Sequence, residues 1–404
     1  MIRRDFYRIN NYRKFLNKRF LTDVASLPSA TATGTSITKY RHWETISEDN
    51  TGTNNAFGNF TVSSYNLLCR HYLWEQVYNY LPKRYTDWSY RLPLIDENLV
   101  DLNTDIMCFQ EMEYKIYKLH WELLLNDKYD SRFIKKRKSN YWNKDEDMMD
   151  GVSIFYNKSR FELITCEKLD FAKIIDSNNN LFDKTSDLVQ RVLPRNTVGL
   201  LLILKDKRYK DKYIIVTNTH LYWSPKFTDV KLIHTFLLKN SIKFKIKQLE
   251  NDANLKINEK NIGLLMCGDF NSNPYSSVYN YLNYNNDDKN LITKDEILKI
   301  FKDFNYGKTA ENLQNELNND DLYDHFNLKS SYRLLYDKEK FNKTTYTNNF
   351  KDIIDYIWYS DSNLKLIRNL GSIDENYLSN FKGFPNQEFP SDHIPIISEF
   401  KWND

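Results

Sequence analysis

Cysteine is scarce: Cys69, Cys108, Cys166 and Cys267 are scattered, mostly inside apolar runs, and never stand in C-x-x-C spacing. That speaks against a disulfide frame or a thiolate zinc site and for buried thiols in a reducing compartment. Only 10 glycines and 9 prolines are present, and no Gly/Pro-rich linker follows residue 55. No apolar run approaches the roughly 20 residues that a transmembrane helix needs, so the expectation is a soluble protein. Charge of one sign is also lacking: 57 Lys and Arg against 54 Asp and Glu give a net +3. A histone-like polycation is thereby excluded, and any anionic partner has to be held locally. Finally there is no Walker loop, no G-x-S-x-G elbow and no H-E-x-x-H, which removes support for nucleotide-switch, serine-hydrolase and zincin chemistry.

What is present suffices for a sizeable core, since 41% of 404 residues are hydrophobic and 27% charged. One large domain or two ordinary ones would fit. The first residues differ in kind. "MIRRDFYRINNYRKFLNKRFLTDVASLPSATATGTS" carries seven bases from Arg3 to Arg19 with one acid, Asp5, among them, and a Ser/Thr/Ala stretch follows. This has the composition of a mitochondrial presequence, with a basic tail of a cytoplasmic or nuclear protein as the alternative. Residues 1–55 are therefore expected to be a targeting-like segment and linker, and residues 56–404 the folded domain.

Strand-like runs lie at Phe60 to Leu68, Ile106 to Phe109, Val152 to Tyr156, Val198 to Leu204, Tyr213 to Val216, Ile262 to Cys267, Ile353 to Tyr359 and Ile394 to Phe400. Helical patterns separate some of them: Ile116, Leu119 and Leu123 form one stripe, and Val230, Ile233, Phe236 and Leu237 another. Strands outnumber helices and many connections are too long for hairpins, which predicts a four-layer α/β sandwich of two mixed β-sheets flanked by helices. The Asn/Asp/Lys tracts at Asn283 to Asn290 and Glu311 to Asp321 read as surface insertions. The run "SRFIKKRK" reads as a solvated basic loop, with RNA steering as the alternative.

Several apolar runs end in an acid, an amide or an imidazole. "VSSYNLL" carries Asn66, "IMCFQEME" ends near Glu111, "YIIVTNTHLYW" near Asn218 and His220, and "LLMCGDFNSNP" in Asp269 and Asn271. "IIDYIWY" carries Asp355, and "FPSDHIPIISEF" opens with Asp392 and His393. Singly, each has an ordinary use: a turn-closing amide, a helix N-terminal acid, a hydrogen-bonded core histidine or a satisfied buried acid. Jointly, strand ends on one rim of a sandwich can meet in one cleft. Glu111, Asp269 and Asp355 with Asn66 and Asn271 are hard oxygen donors that match Mg²⁺, or Mn²⁺, rather than zinc. His220 and His393 add proton-transfer capacity, and together the set points to metal-assisted phosphoester hydrolysis.

"SYNLL", "FQEME", "DGVSIFYNKSRFEL", "TNTHLYWSPKFTDVKLIHTFLL", "CGDFNSNPYSSVYNYL", "IIDYIWYS" and "PSDHIPIISEF" resemble, in order across residues 60 to 402, the exonuclease-endonuclease-phosphatase superfamily in its deadenylase, nocturnin and Angel branch. The resemblance implies that Glu111, Asn66, Asp269 and Asp355 hold a pair of Mg²⁺ ions. It further implies that Asp269 and Asn271 orient water and phosphate, that His220 contacts the phosphate, and that Asp355, Asp392 and His393 complete the acid/base set. Asn218 is expected on the substrate, and Pro225 and Phe350 would stack a terminal base. Ser224 and Tyr275 stand where the family commonly has acids. The expected activity is a 3′ to 5′ exoribonuclease on single-stranded RNA with a preference for poly(A). A metal-dependent phosphatase of a small nucleotide (a 2′-phosphate or cyclic phosphate) and an inactive RNA-binding module are the alternatives. With no L-x-x-L-x-L spacing near the N-terminus, a monomer outside any large deadenylase complex is expected.

Overall fold

Burial along "IMCFQEME" sets the architecture. Every residue of the strand Ile106–Glu113 is buried, so both of its faces need covering, which only a middle layer provides. Ile106 and Cys108 enter a core shared with the second sheet, whereas Met107 and Phe109 pack with Leu92, Ile95 and Leu99 of an outer helix. Alternation at period 2 thus yields sheet against sheet inside and helices outside.

The computed structural model describes residues 37–47, 58–138, 145–251, 257–258, 260–283, 293–318 and 326–403. In chain order the strands are β1 (Trp43–Thr45), β2 (Phe60–Asn66), β3 (Ile106–Glu113), β4 (Tyr129–Lys135), β5 (Asp150–Asn157), β6 (Phe161–Asp170), β7 (Val198–Asp206) and β8 (Tyr213–His220). They continue with β9 (Ile262–Asp269), β10 (Leu328–Ser330), the hairpin β11 (Thr345–Tyr346) and β12 (Lys351–Asp352), then β13 (Asp355–Ser360), β14 (Leu364–Leu370) and β15 (Ile396–Trp402). One sheet has the order β1-β14-β15-β2-β3-β5-β4 and the other β10-β13-β9-β8-β7-β6.

Each sheet holds one parallel pair, and a parallel pair needs a crossover. Between β2 and β3 the crossover carries α1 (Trp88–Leu102), started by Asp87, whose side chain accepts from Ser89 N, and stopped at Asn103 in the left-handed region. Between β8 and β9 it carries α2 (Thr228–Glu250). The pairs end side by side at Asn66↔Gln110 and at His220↔Asp269. Crevices form where such parallel strands end.

The expected fold class is borne out, with local corrections. Residues 37–47 belong to the fold: β1 pairs with β14, and buried Arg41 donates to the carbonyls of Leu370, Gly371 and Pro395. The domain thus starts earlier than residue 56, while the targeting-like segment 1–36 lies outside the described residues. In the helical stretch after β3 Leu119 is 39% exposed, and Ile116, Tyr117, Trp121 and Leu125 are buried instead. A π turn at Tyr117–Trp121 makes the apolar stripe slip out of the expected spacing. The tract from Glu311 is no mere insertion, because α3 (Lys308–Asn318) buries Leu313 and Leu317 in the core. Of the other tract, residues 284–290 lie outside the described residues. "SRFIKKRK" is largely β4, whose Ser131, Phe133 and Ile134 are buried.

Candidate active site

The segment "LLMCGDFN" stays in the sheet through Asp269, two residues beyond the strand-like run that ends at Cys267. Gly268 has φ +147°, and a Cβ there would lie 2.2 Å from the carbonyl oxygen of Thr219 on β8. Glycine is therefore needed for the close approach of two backbones, and that approach sets His220 beside Asp269. Asp269 Oδ1 accepts from Asn271 N at 2.9 Å, and Asn271, at φ +46°, donates its amide to Leu221 O at 2.9 Å. The turn-closing role and the site role coincide in the same pair.

On the opposite sheet the β3–β5 register shifts between Phe109 and Met112, and Glu111 takes φ +56°. This bulge turns the Glu111 carboxylate toward the rim. Its oxygens accept from Asn66 Nδ2 at 3.1 Å and Cys69 N at 2.7 Å, and Asn66 Nδ2 also donates to Asp269 Oδ2 at 3.0 Å. Asn66 thus ties together carboxylates from both sheets.

The "SDH" segment is held as a third strand on the β11–β12 hairpin: Thr345 bridges His393, Tyr346 N donates to Asp392 O, and Ser391 Oγ donates to Asn66 O. His393 Nδ1 lies 2.8 Å from Asp355 Oδ2, and its Nε2 3.7 Å from Asp269 Oδ2. From the other side His220 Nε2 approaches the same Asp269 oxygen to 3.6 Å, and His220 Nδ1 lies 3.9 Å from Glu111 Oε1. Asp392 is set slightly apart, accepting from Tyr78 Oη at 2.8 Å.

Burial and the neighbouring Asp150 push Glu111 up to about 8. Burial and Asp355 push Asp269 up to about 7. His220 is held well below its usual range by burial, Lys136 and His393. His393 goes the other way: burial opposes its charge, but Asp355, Asp392 and Asp269 keep it protonated well above its ordinary value. The rim is therefore an acid cluster short of positive charge.

A hard divalent cation fits this arrangement. Ligand atoms of Asp269, Asp355 and His393 lie within 4.8 Å of one another. Asp355 Oδ1 and Asp392 Oδ1 are buried oxygens with no hydrogen-bond partner among the described residues, which buried acceptors rarely tolerate. Carboxylate-dominated donors of this kind suit Mg²⁺ or Mn²⁺ chemistry.

The structure therefore brings together Asn66, Glu111, His220, Asp269, Asn271, Asp355, Asp392 and His393. It does not bring in Asn218, which is fully buried, with its amide spent on Gln110 Nε2, Phe109 O and Ser153 O at 2.7, 2.9 and 2.8 Å. That residue stitches the two sheets beneath the site, contrary to the expected substrate contact. Pro225, at the start of a short 3-10 turn, and Phe350, in the β11–β12 hairpin loop, are both exposed, Phe350 at 48%. Sequence reasoning misses Lys136 altogether, because the basic run around it reads as solvated. It is buried, 2.7 Å from Asp150 Oδ2 and 3.3 Å from His220 Nδ1. The alternation Tyr129, Ser131, Phe133 is the signal that could expose β4, and Lys136 follows Ile134 by two positions on the opposite face, which enters the core between the sheets.

Comparison with known proteins agrees with this geometry. The sequence model of the Endonuclease/Exonuclease/phosphatase family matches residues 63–393. The chain is 34% identical over 364 residues to the CCR4-Not complex 3′-5′-exoribonuclease subunit Ccr4 of Kluyveromyces lactis, covering 89% of this chain and 43% of that one. It is 34% identical over 347 residues to Ccr4 of Saccharomyces cerevisiae, covering 85% and 39%. The chain thus spans less than half the length of these curated relatives. The solved structure of ANGEL2, described as a 2′,3′-cyclic phosphatase, superposes with a TM-score of 0.63 at 23% identity, covering 90% of this chain and 98% of that one. The human Nocturnin catalytic domain follows at 0.56 and 19%, with the same coverage. The expectation of a monomer outside any large deadenylase complex is overturned, because the relatives are themselves subunits of the CCR4-Not complex. Among the described residues no helix is long and apolar enough to cross a membrane. With the family model spanning most of its length and the resemblance to the deadenylase, nocturnin and Angel branch borne out, the chain belongs to the Endonuclease/Exonuclease/phosphatase family.

Proposed function

We propose that this chain is a Mg²⁺-dependent 3′ to 5′ exoribonuclease that hydrolyses phosphodiester bonds of single-stranded RNA. The observation that carries the reading is the meeting of Asp269 with Asp355, His393 and His220 at the rim where both parallel strand pairs end. The names of the Ccr4 relatives support the same substrate class, and they support assembly into a CCR4-Not-type complex.

Glu111, Asp269 and Asp355, with Asn66 beside them, would hold the cation. When bound, a divalent ion lowers the pKa of coordinated water and offsets charge growing on a phosphoryl group. Asp355 accepts from His393 Nδ1–H, which leaves a charged imidazolium whose Nε2–H can donate to a phosphate oxygen. His220 is neutral and faces the Lys136 ammonium through Nδ1, so its proton sits on Nε2, toward Asp269 and the substrate. Asp269, flanked by both imidazoles, is the acceptor to which a water proton can pass. Lys136 adds a positive charge behind His220.

The test offers purified protein oligo(A), oligo(U), mixed RNA, an RNA with a cyclic-phosphate end and a 2′-phosphorylated dinucleotide, each with Mg²⁺ and with EDTA. Stepwise shortening of RNA from its 3′ end, abolished by EDTA, is expected. Phosphate release from the small nucleotides alone would replace this reading by that of a small-nucleotide phosphatase. RNA binding without any turnover would leave an inactive binding module.

A further inference from the structure

Two tryptophans beside the candidate active site stand half in water. Trp74 is 46% and Trp223 57% exposed, although indoles are among the costliest side chains to leave unburied. Their rings meet edge to face, with centroids 6.2 Å apart at 76°, and the contact leaves both side chains about half exposed. Tyr72 supports Trp74 from behind at 6.2 Å and 81°. Tyr222 flanks Trp223 at 5.9 Å, with the Arg195 guanidinium 4.6 Å above the Tyr222 ring.

This ledge is wired to the reacting centre. Tyr72 Oη donates to Asp150 Oδ1 at 2.8 Å, Asp150 Oδ2 pairs with Lys136 at 2.7 Å, and Lys136 reaches His220 at 3.3 Å. Trp223 follows His220 by three positions in the loop that leaves β8. The ledge therefore borders the site without supplying any of its acids or imidazoles. Half-exposed indoles with a guanidinium on the neighbouring Tyr222 suit a polymer that offers a flat base and a phosphate together.

We propose that Trp74 and Trp223 form a second subsite that stacks one base of a single-stranded RNA as the strand passes into the active site. The proposal rests on the RNA reading above and sharpens it, because a strand whose end is at the reaction centre has further bases to lay on the ledge. Stacking favours purines, so an adenine is held better there than a uracil.

The experiment measures anisotropy of labelled oligo(A) on the full chain in EDTA, where the strand stays intact, and scans an abasic residue along the strand. For the wild type, one abasic position is expected to weaken binding by on the order of tenfold, the worth of one stacked base. Trp74→Ala and Trp223→Ala should each weaken the intact strand by a similar factor and abolish the penalty at that position, while Trp74→Phe restores most of it. Circular dichroism checks that the variants remain folded, as expected for exposed rings. Unchanged affinity in both alanine variants, or an abasic penalty that persists in them, overturns the subsite, as does a wild type that does not bind RNA. Turnover is read separately with Mg²⁺. A wild type that binds in this Trp-dependent way but never shortens RNA keeps the subsite and overturns the exoribonuclease.

Discussion

Lys136 Nζ lies 3.3 Å from His220 Nδ1, Lys136 just beyond the end of β4 in one sheet and His220 at the end of β8 in the other. An ammonium so close to an imidazole penalises its protonation, and it fixes the neutral tautomer by donating to the nitrogen that faces it. Lys136→Met should raise the pKa of His220 toward its ordinary value, because one of the causes holding it down is removed while burial remains. Its kcat/KM on RNA should fall by about tenfold or more, the scale of one charge-assisted contact of about 1.5–3 kcal/mol. Histidine titration by ¹⁵N NMR is the direct check, and an unmoved His220 resonance would refute the coupling.

Without metal the acid cluster should make stability fall with pH. Glu111 at about 8 and Asp269 at about 7 lie above their ordinary values of 4.5 and 3.8. An acid whose folded pKa is raised is protonated in both states at low pH, where it costs nothing. As pH rises from about 4 the unfolded chain ionises first, and stability is lost until the folded values are passed. His393, also raised, contributes in the same direction. His220 and His234, both held low, work the other way until about pH 6.5, so the net decline of the Tm in EDTA should fall between about pH 6.5 and pH 8, and added Mg²⁺ should restore it most at the alkaline end. A flat profile in EDTA would show that the carboxylates are compensated from within the protein.

Asp269→Ala should abolish Mg²⁺-dependent turnover. At about pH 8 in EDTA its Tm should equal or exceed that of the wild type, since a charge facing Asp355 has gone. Near-normal turnover would remove Asp269 from the site, and unfolding would show that its hydrogen bonds to Asn66 and Asn271 outweigh the repulsion.

Asn218→Ala should behave as a structural variant. It would leave Gln110 Nε2 short of one acceptor, and the carbonyls of Phe109 and Ser153 short of a donor, inside a dry core. At about 1–3 kcal/mol for each buried group left unsatisfied, destabilisation on the order of 3 kcal/mol follows, read by urea denaturation. A changed KM with unchanged stability would return Asn218 to the substrate.

Asn218 also shows where sequence reading stops. Apolar runs ending in polar side chains make β2, β3, β8, β9 and β13 legible, together with the acids and imidazoles at their ends, because period-2 burial is a local property. Which end residue faces the rim and which lies beneath it depends on cross-sheet register, and Asn218 and His220 differ by only two positions along one strand. Glu111 reaches the rim through a bulge that no pattern announces. Lys136 is hidden by its neighbours, since a basic run reports solvent unless its buried partner, here Asp150, is known. The start of the domain is misplaced for a similar reason: β1 is short, polar and stabilised by distant β14.

Gly268→Ala tests whether the spacing of β8 and β9 governs the site. Gly268 opposes Thr219 in the parallel pair, one step before His220 opposes Asp269. A methyl group at 2.2 Å from the Thr219 carbonyl oxygen cannot be accommodated without separating the strands, and φ +147° is itself unfavourable for alanine. Relief by backbone movement would lengthen the Leu221 N to Asp269 O hydrogen bond, now 2.9 Å, and carry His220 away from Asp269. Two effects should appear together: destabilisation of roughly 1–3 kcal/mol, the usual cost of overpacking, and loss of turnover by about a hundredfold, the usual consequence of displacing a reacting group by an ångström. Excess Mg²⁺ should not rescue the turnover, because the change displaces His220 without deleting a carboxylate. Full activity in a protein of lowered Tm would mean that the site tolerates the movement and that Gly268 serves packing alone.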